Sequence, residues 1–177
     1  MRVSRSKLAR VVATAFAEFF RNTPPLVQIF FMYFGLPVVG IRLPAVVAGT
    51  LALIFYQGAI AIEILRAGLE AVPKGQEEAG SALGLSGLQQ FVFIKLPQAF
   101  RISLPSLGNN LISLLKNTAL VSAIGVLEIT GWAMDVIAIR LSSAELFLAI
   151  GVFYVISVTI LSSVLRVVER RMAKFAP

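Results

Sequence analysis

Residues able to do covalent or acid–base chemistry are scarce in this chain. It has no histidine and no cysteine, which removes thiol nucleophiles, disulfides, imidazole bases and the usual zinc ligands. No catalytic residue and no metal site is expected. The stretch GLPVVGIR has the first half of the phosphate-loop spacing G-x-x-x-x-G-K-[ST], but Ile41 and Arg42 stand where the lysine and the hydroxyl must be. It reads as the end of an apolar segment. What remains is polar groups set inside apolar runs, where they are costly and usually face a cavity. Asn109, Asn110, Lys116, Asn117 and Thr118, with Gln57 and Glu63, are the candidates for lining a path. Asn110, Asn117 and Thr118 broadly share a helical face with Leu114 and Val121. For Asn109 and Asn110, hydrogen bonding between helices that only fixes packing is an equal alternative. Lys116 needs an anionic partner, for which Glu63 and Glu128 are candidates, or an ion pair at a dimer axis. Glu63 and Arg66, three residues apart, read as a local pair.

The elements that must position these groups follow from composition. Of 177 residues, 58% are hydrophobic and only 14% charged, and the mean hydropathy is +0.87, a balance rare for a water-soluble domain. Only a helical bundle satisfies its backbone in lipid without a closed barrel. The fold class expected is an all-α integral membrane protein. Four apolar segments stand out as spans: Pro25 to Ile41, Leu43 to Ile64, Ser103 to Leu127 and Leu146 to Leu165. The first is short, and Leu36-Pro37 should end or bend it. Ser142 and Glu145 have capping-box spacing before the last.

Counting Lys and Arg in the stretches before, between and after these segments gives 5, 1, 4, 1 and 4, with Lys116 left inside the third span. Positive charge collects on the cytoplasmic side, so both termini and the long connection between the second and third spans are expected there. The net charge of +7 is dispersed in this way and not gathered on one soluble surface, which argues for a membrane and against nucleic acid. Lys7, Arg10, Thr14, Glu18 and Arg21 recur at helical spacing opposite Leu8, Val12, Phe16 and Phe19, so residues 1–22 read as an amphipathic segment in the membrane interface. A cleaved signal peptide is a poor fit, because Glu18 breaks its apolar patch.

The connection over residues 67–100 is longer than a link requires. Pro73 can begin a helix there, Glu77 and Glu78 complement its dipole, and Gly84 can close it. Ala79, Gly80, Ser81 and Ala82 let another surface approach, and Leu83, Leu85 and the FVFI run offer apolar anchors. A docking element and an amphipathic loop resting on the membrane are the two readings of these features.

Glu78-Ala79-Gly80, then Gly84, Ile94 and Leu96-Pro97, matches the E-A-A-x3-G-x9-I-x-L-P signature of the membrane subunits of bacterial ATP-binding cassette importers, with Gly80 for the second Ala. FFRNTPPLVQIFFMYFGLP, AIEILRAGLEAVPKGQEEA, KLPQAFRISLPSLGNN, LLKNTALVSAIGVLE and VLRVVERRM resemble the polar amino acid uptake branch of these permeases over nearly the whole chain. The resemblance implies a type I permease domain over residues 1–177. Its coupling loop would include Gly75, Gln76, Glu78, Ala79, Gly80, Gly84, Ile94, Leu96 and Pro97, seated in a cleft of a separate ATPase.

The resemblance further implies a multi-pass protein of the bacterial cytoplasmic (inner) membrane that works by alternating access. Its partners would be two copies of an ATP-binding subunit, an extracytoplasmic amino-acid-binding protein, membrane lipid, and a second permease that is either another copy or a sister chain. No cofactor would be bound by this chain itself; ATP and Mg would act through the partner ATPase. In relatives that carry basic amino acids the position of Asn110 tends to be acidic, so neutral polar or acidic amino acids are expected. Family members commonly have a further span upstream, five where four are counted here. The competing class, a secondary transporter or channel that needs no ATPase, predicts acidic residues paired deep in the spans or an inverted repeat. Neither is seen in this sequence.

Overall fold

The computed structural model describes residues 7–140 and 143–173, and every regular element among them is helical. Helix α1 (Lys7–Asn22) is followed by α2 (Pro25–Phe30), which passes into a π-turn, Phe31–Gly35, and a 3-10 turn, Leu36–Val39. The long α3 (Ala45–Glu70) leads to the short α4 (Lys74–Ala82). Then α5 (Gly87–Gln89), a π-turn (Gln90–Lys95), α6 (Leu96–Asn117) and a 3-10 stretch (Thr118–Ile124) follow without a break. Helices α7 (Ile129–Arg140) and α8 (Ser143–Ala173) complete the described chain. The capping box expected at Ser142 lies outside the described residues.

Two helices, Ala45–Glu70 and Ala144–Met172, are long and apolar enough to cross a membrane, and a third crossing results if the bent pair Gly87–Ile124 and Ile129–Ile139, inclined at 44°, counts as one. The first expected span is the shorter apolar helix Pro25–Val39. At 1.5 Å per residue it covers about 22 Å, less than the ~30 Å hydrocarbon core. Prolines explain its irregularity. Pro37 has no N–H for the carbonyl four residues back, and the Leu36 N–H bonds to the Phe31 carbonyl, five residues back. Pro97 has the same relation to the second π-turn, where the Leu96 N–H reaches the Phe91 carbonyl. Gly40, at φ 87°, stops the first helix. GLPVVGIR is thus a helix end, as its sequence suggests.

Three expectations need correction. The second span continues to Glu70, six residues past Ile64, because Arg66 pairs with Glu63 and Glu70 across successive turns and supports polar helix there. The connection 67–100 holds the expected helix between Pro73 and Gly84, but its second half is no loop: it is the start of the rod that becomes the third span. Helix α7 has no counterpart in the sequence reading. Its polar residues, such as Thr130 and Asp135, are not gathered on one face and so leave no period to detect, and Glu128 starts it by accepting the Gly131 N–H at 2.8 Å.

The core forms where α2, α3 and the 3-10 stretch after α6 meet: Ile29, Ala48, Ala52, Leu53, Val121 and Ile124 are buried together. Small residues permit the approach. A Cβ on Gly49 would lie 2.7 Å from Val121 Cγ1. Helices α3 and α6 run antiparallel in a constant register, with the Ser103 hydroxyl donating to the Ile64 carbonyl at 3.2 Å and the Asn110 amide to the Gln57 carbonyl at 3.2 Å.

Candidate functional site

Helix α4 is built by local signals at both ends. Pro73, at φ −59° and ψ 135°, is its N-cap and cannot extend the helix backward. Gly84, at φ 75°, ends it: the Leu85 N–H bonds to the Gly80 carbonyl at 3.1 Å and the Gly84 N–H to the Ser81 carbonyl at 3.0 Å. That pair of bonds is a Schellman closure, which puts the residue after the C-cap in left-handed backbone. Two residues on, Ser86 and Gln89 form a reciprocal capping box that opens the next helix. The S-x-x-Q pattern carried this signal in the sequence.

Several contacts lock α4 onto the beginning of the rod. Gly80 is buried against it, and a Cβ there would lie 2.8 Å from Ile94 Cδ1 and 3.0 Å from Gln90 Cγ. Gln90 donates to the Ser81 hydroxyl at 3.1 Å and the Leu85 carbonyl at 2.8 Å. The Lys95 ammonium pairs with the Glu77 carboxylate, and Gln98 donates to Gln76 at 3.3 Å. The outward side is left free of the bundle: Gly75, Glu78, Ala79 and Gly84 are exposed, and Leu83 is 79% and Leu88 74% accessible. Leu96 and Pro97 are exposed at the start of α6. Of the two glutamates, Glu77 therefore faces inward to a lysine while Glu78 stays on the open face.

The intramembrane polar residues divide by face. Asn110 is turned to α3 through its bond to Gln57. Leu114 and Val121, which share its side of the helix, pack into the core. The face expected to line a path is thus largely a packing face. Thr118 spends its hydroxyl on the Leu115 carbonyl at 2.7 Å, and Asn117 is half-buried at the end of α6. Asn109 and Lys116, seven residues apart, both lie exposed on α6.

The expected partners of Lys116 are taken. Glu63 faces Arg66 at 3.1 Å and Arg21 at 3.8 Å, and Glu128 also accepts from the Tyr154 hydroxyl at 3.3 Å. The antiparallel register explains this for Glu63: it lies level with residue 104, about 18 Å along the helix from Lys116. The local pair expected between Glu63 and Arg66 is present.

The described residues thus form an antiparallel helical scaffold with two helices long and apolar enough to cross a membrane and a short, tightly clamped helix presented at one end. Comparison with known families gives its membership. Residues 1–174 match the family described as the inner membrane component of binding-protein-dependent transport systems, and the chain belongs to that family.

It is 36% identical over 174 residues to a probable glutamine ABC transporter permease protein, GlnM, of Bacillus subtilis, covering 98% of this chain and 81% of that one. Identity to the glutamine transport system permease protein GlnP of Escherichia coli K12 is 40% over 167 residues, covering 93% and 76%. The crystal structure of an amino acid ABC transporter with histidines superimposes with a TM-score of 0.92 at 36% identity, covering 97% of this chain and 80% of that one. The protein is accordingly a transporter component and not an enzyme, and membership implies a separate ATPase and a substrate-binding protein as partners.

Proposed function

We propose that this chain is the permease of an importer for polar amino acids, and that α4 is the element through which partner ATPases drive it. The observation that carries this reading is the clamp between α4 and the Gln90–Lys95 turn, which ties an exposed helix to a rod running on to Ile124. A push on α4 would be transmitted to the membrane interior without an intervening flexible link. Gly75, Gln76, Glu78, Ala79 and Gly84 would meet the ATPase, and Gly80, Ile94, Leu96 and Pro97 would support them from behind.

Two ATPase copies, binding ATP and Mg, would serve a pair of permeases that is either homodimeric or formed with a sister chain. Cytoplasmic placement of α4 follows from the alternation of Lys and Arg along the sequence. Asn109 and Lys116 would front the translocation path or the neighbouring permease, with Asn110, Asn117 and Thr118 behind them. A neutral amide at position 110 offers no countercharge to a cationic side chain. Two relatives named as glutamine permeases support a neutral polar substrate, with acidic amino acids the other class this site admits.

The test is to tag the chain in its host, solubilise the membranes gently and identify co-purifying proteins by mass spectrometry. An ATP-binding subunit that is lost when Gly84 is replaced by a bulky residue supports the reading. A folded chain that reproducibly emerges alone refutes it.

A further inference from the structure

Helix α1 carries a polar side and an apolar side, and the structure arranges them in an unusual sense for a helix packed on a bundle. Its apolar residues are outward: Leu8 is 75% and Phe19 63% accessible, Val12 is also exposed, and the exposed Val11 stands where this side meets the polar one. Only Ala17 is fully buried, while Phe16 and Phe20 touch Phe55 of α3. On the other side Arg10, Thr14 and Glu18 face the last turns of α3, where Arg66 and Glu70 complete a cavity of about 750 Å³. That size suits an organic ligand.

Among the described residues that line this cavity the charges balance, Arg10 and Arg66 against Glu18 and Glu70. Arg21 pairs with Glu18 and Glu63, both at 3.8 Å, and Arg66 with Glu63 at 3.1 Å and Glu70 at 2.5 Å. Arg10 enters no ion pair among the described residues, and the Glu70 side chain is 64% exposed. The cavity therefore offers a guanidinium beside a carboxylate at its open mouth, within reach of a continuous apolar stripe.

We propose that this cavity binds the headgroup of a zwitterionic aminophospholipid, phosphate toward Arg10 and primary ammonium toward Glu70, with acyl chains lying along the outward stripe of α1. The charge balance selects the class. A headgroup with only a phosphate would bring that anion against Glu18 and Glu70 as well as the arginines. A quaternary ammonium cannot donate to a carboxylate and is held instead by aromatic faces, and no aromatic side chain among the described residues lines this cavity. The inference rests on the membrane placement of the chain and not on its substrate or on α4.

To test it, the whole transporter is purified from its membranes in mild detergent and its retained lipid is extracted and quantified by mass spectrometry, beside Arg10→Gln and Glu70→Gln. Phosphatidylethanolamine should be enriched over its share of the bulk membrane. Retention should fall several-fold in either variant, and Glu70→Gln should gain phosphatidylglycerol. Arg10→Gln breaks no described ion pair, so it remains informative if Glu70→Gln does not fold.

No enrichment in the parent, equal retention by the variants, or a parent that prefers phosphatidylglycerol or cardiolipin would overturn the proposal. A second copy seated on the stripe would do the same. Because the chain has no native cysteine, Phe19→Cys reports that outcome directly as a disulfide between chains. Substrate-stimulated ATP hydrolysis, measured on the same samples, tests the transport reading separately.

Discussion

The crossing of α3 and α6 near their α4-proximal ends can be strained by one methyl group. A Cβ built on Gly68 lies 2.0 Å from the Ser103 hydroxyl oxygen and 2.7 Å from the Ala99 carbonyl oxygen. Ordinary contacts begin near 3.4 Å, so Gly68→Ala must move Ser103 off the Ile64 carbonyl and also displace α6 backbone. Overpacking of this kind costs about 1–3 kcal/mol, and the lost hydrogen bond adds about 1 kcal/mol. A destabilisation of about 2–4 kcal/mol is expected, read by reversible unfolding of the purified chain in mixed detergent micelles. Adding Ser103→Ala relieves only the hydroxyl contact, because the Ala99 carbonyl belongs to the backbone, and should recover part of the loss. A Gly68→Ala chain as stable as the parent, or one fully rescued by Ser103→Ala, would refute the view that backbone contact sets this crossing.

At Gly80 the obstructing atoms belong to side chains, the Ile94 tip and Gln90 Cγ, and not to backbone, so Gly80→Ala should fold and keep ATPase coupling, whereas Gly80→Leu should detach α4; protease sensitivity near Leu83 reads the difference. Gly84 has open space around its missing Cβ, so Gly84→Ala should cost only the left-handed backbone term, about 1–2 kcal/mol confined to the α4 terminus. Gly84→Asn should cost less, by thermal unfolding and by ATPase co-purification. Glu128→Ala removes the acceptor for the Gly131 N–H and the Tyr154 hydroxyl, and by analogy with lost helix caps should cost about 1–2 kcal/mol. Hydrogen exchange should rise across α7 first. Asn110→Leu removes the bond to the Gln57 carbonyl and should weaken the α3–α6 contact, but, adding no charge, it should not admit cationic amino acids; Asn110→Glu should shift uptake toward them, and an unmoved profile would leave Asn110 a packing residue only.

Features set within a few residues were readable from the chain alone. Pro73 and Gly84 delimit α4 because a missing N–H and a left-handed backbone are local demands, and the Glu63–Arg66 pair needs only helical spacing. Class and membrane character followed from composition, since no other arrangement hides so much apolar surface. What a residue faces was harder to read, because the rotation of a helix about its axis is set by its neighbours. For Asn110 path and packing were equal readings of the sequence, and its bond to Gln57 favours packing; Lys116 is exposed and meets neither Glu63 nor Glu128 within this chain. Helix α7 was missed because its polar residues, Thr130 and Asp135 among them, are not gathered on one face and so give no helical period.

The unbroken run from Gly87 to Ile124 makes α6 a lever whose fulcrum is the contact of Ser103 with Gly68 and Ile64. From Ile94, where α4 bears on it, to the fulcrum is about 14 Å; from the fulcrum to Asn110 is about 10 Å and to Lys116 about 20 Å. A pivot there that released the Asn110 bond to Gln57 and left the helix straight through Pro105 would move its two ends in opposite senses. A displacement of 1 Å imposed at Ile94 would return about 0.8 Å at Asn110 and about 1.4 Å at Lys116 on the far arm. Small travel at the clamp thus arrives enlarged at the lysine, and the mechanical advantage is set by where two small residues allow the helices to touch.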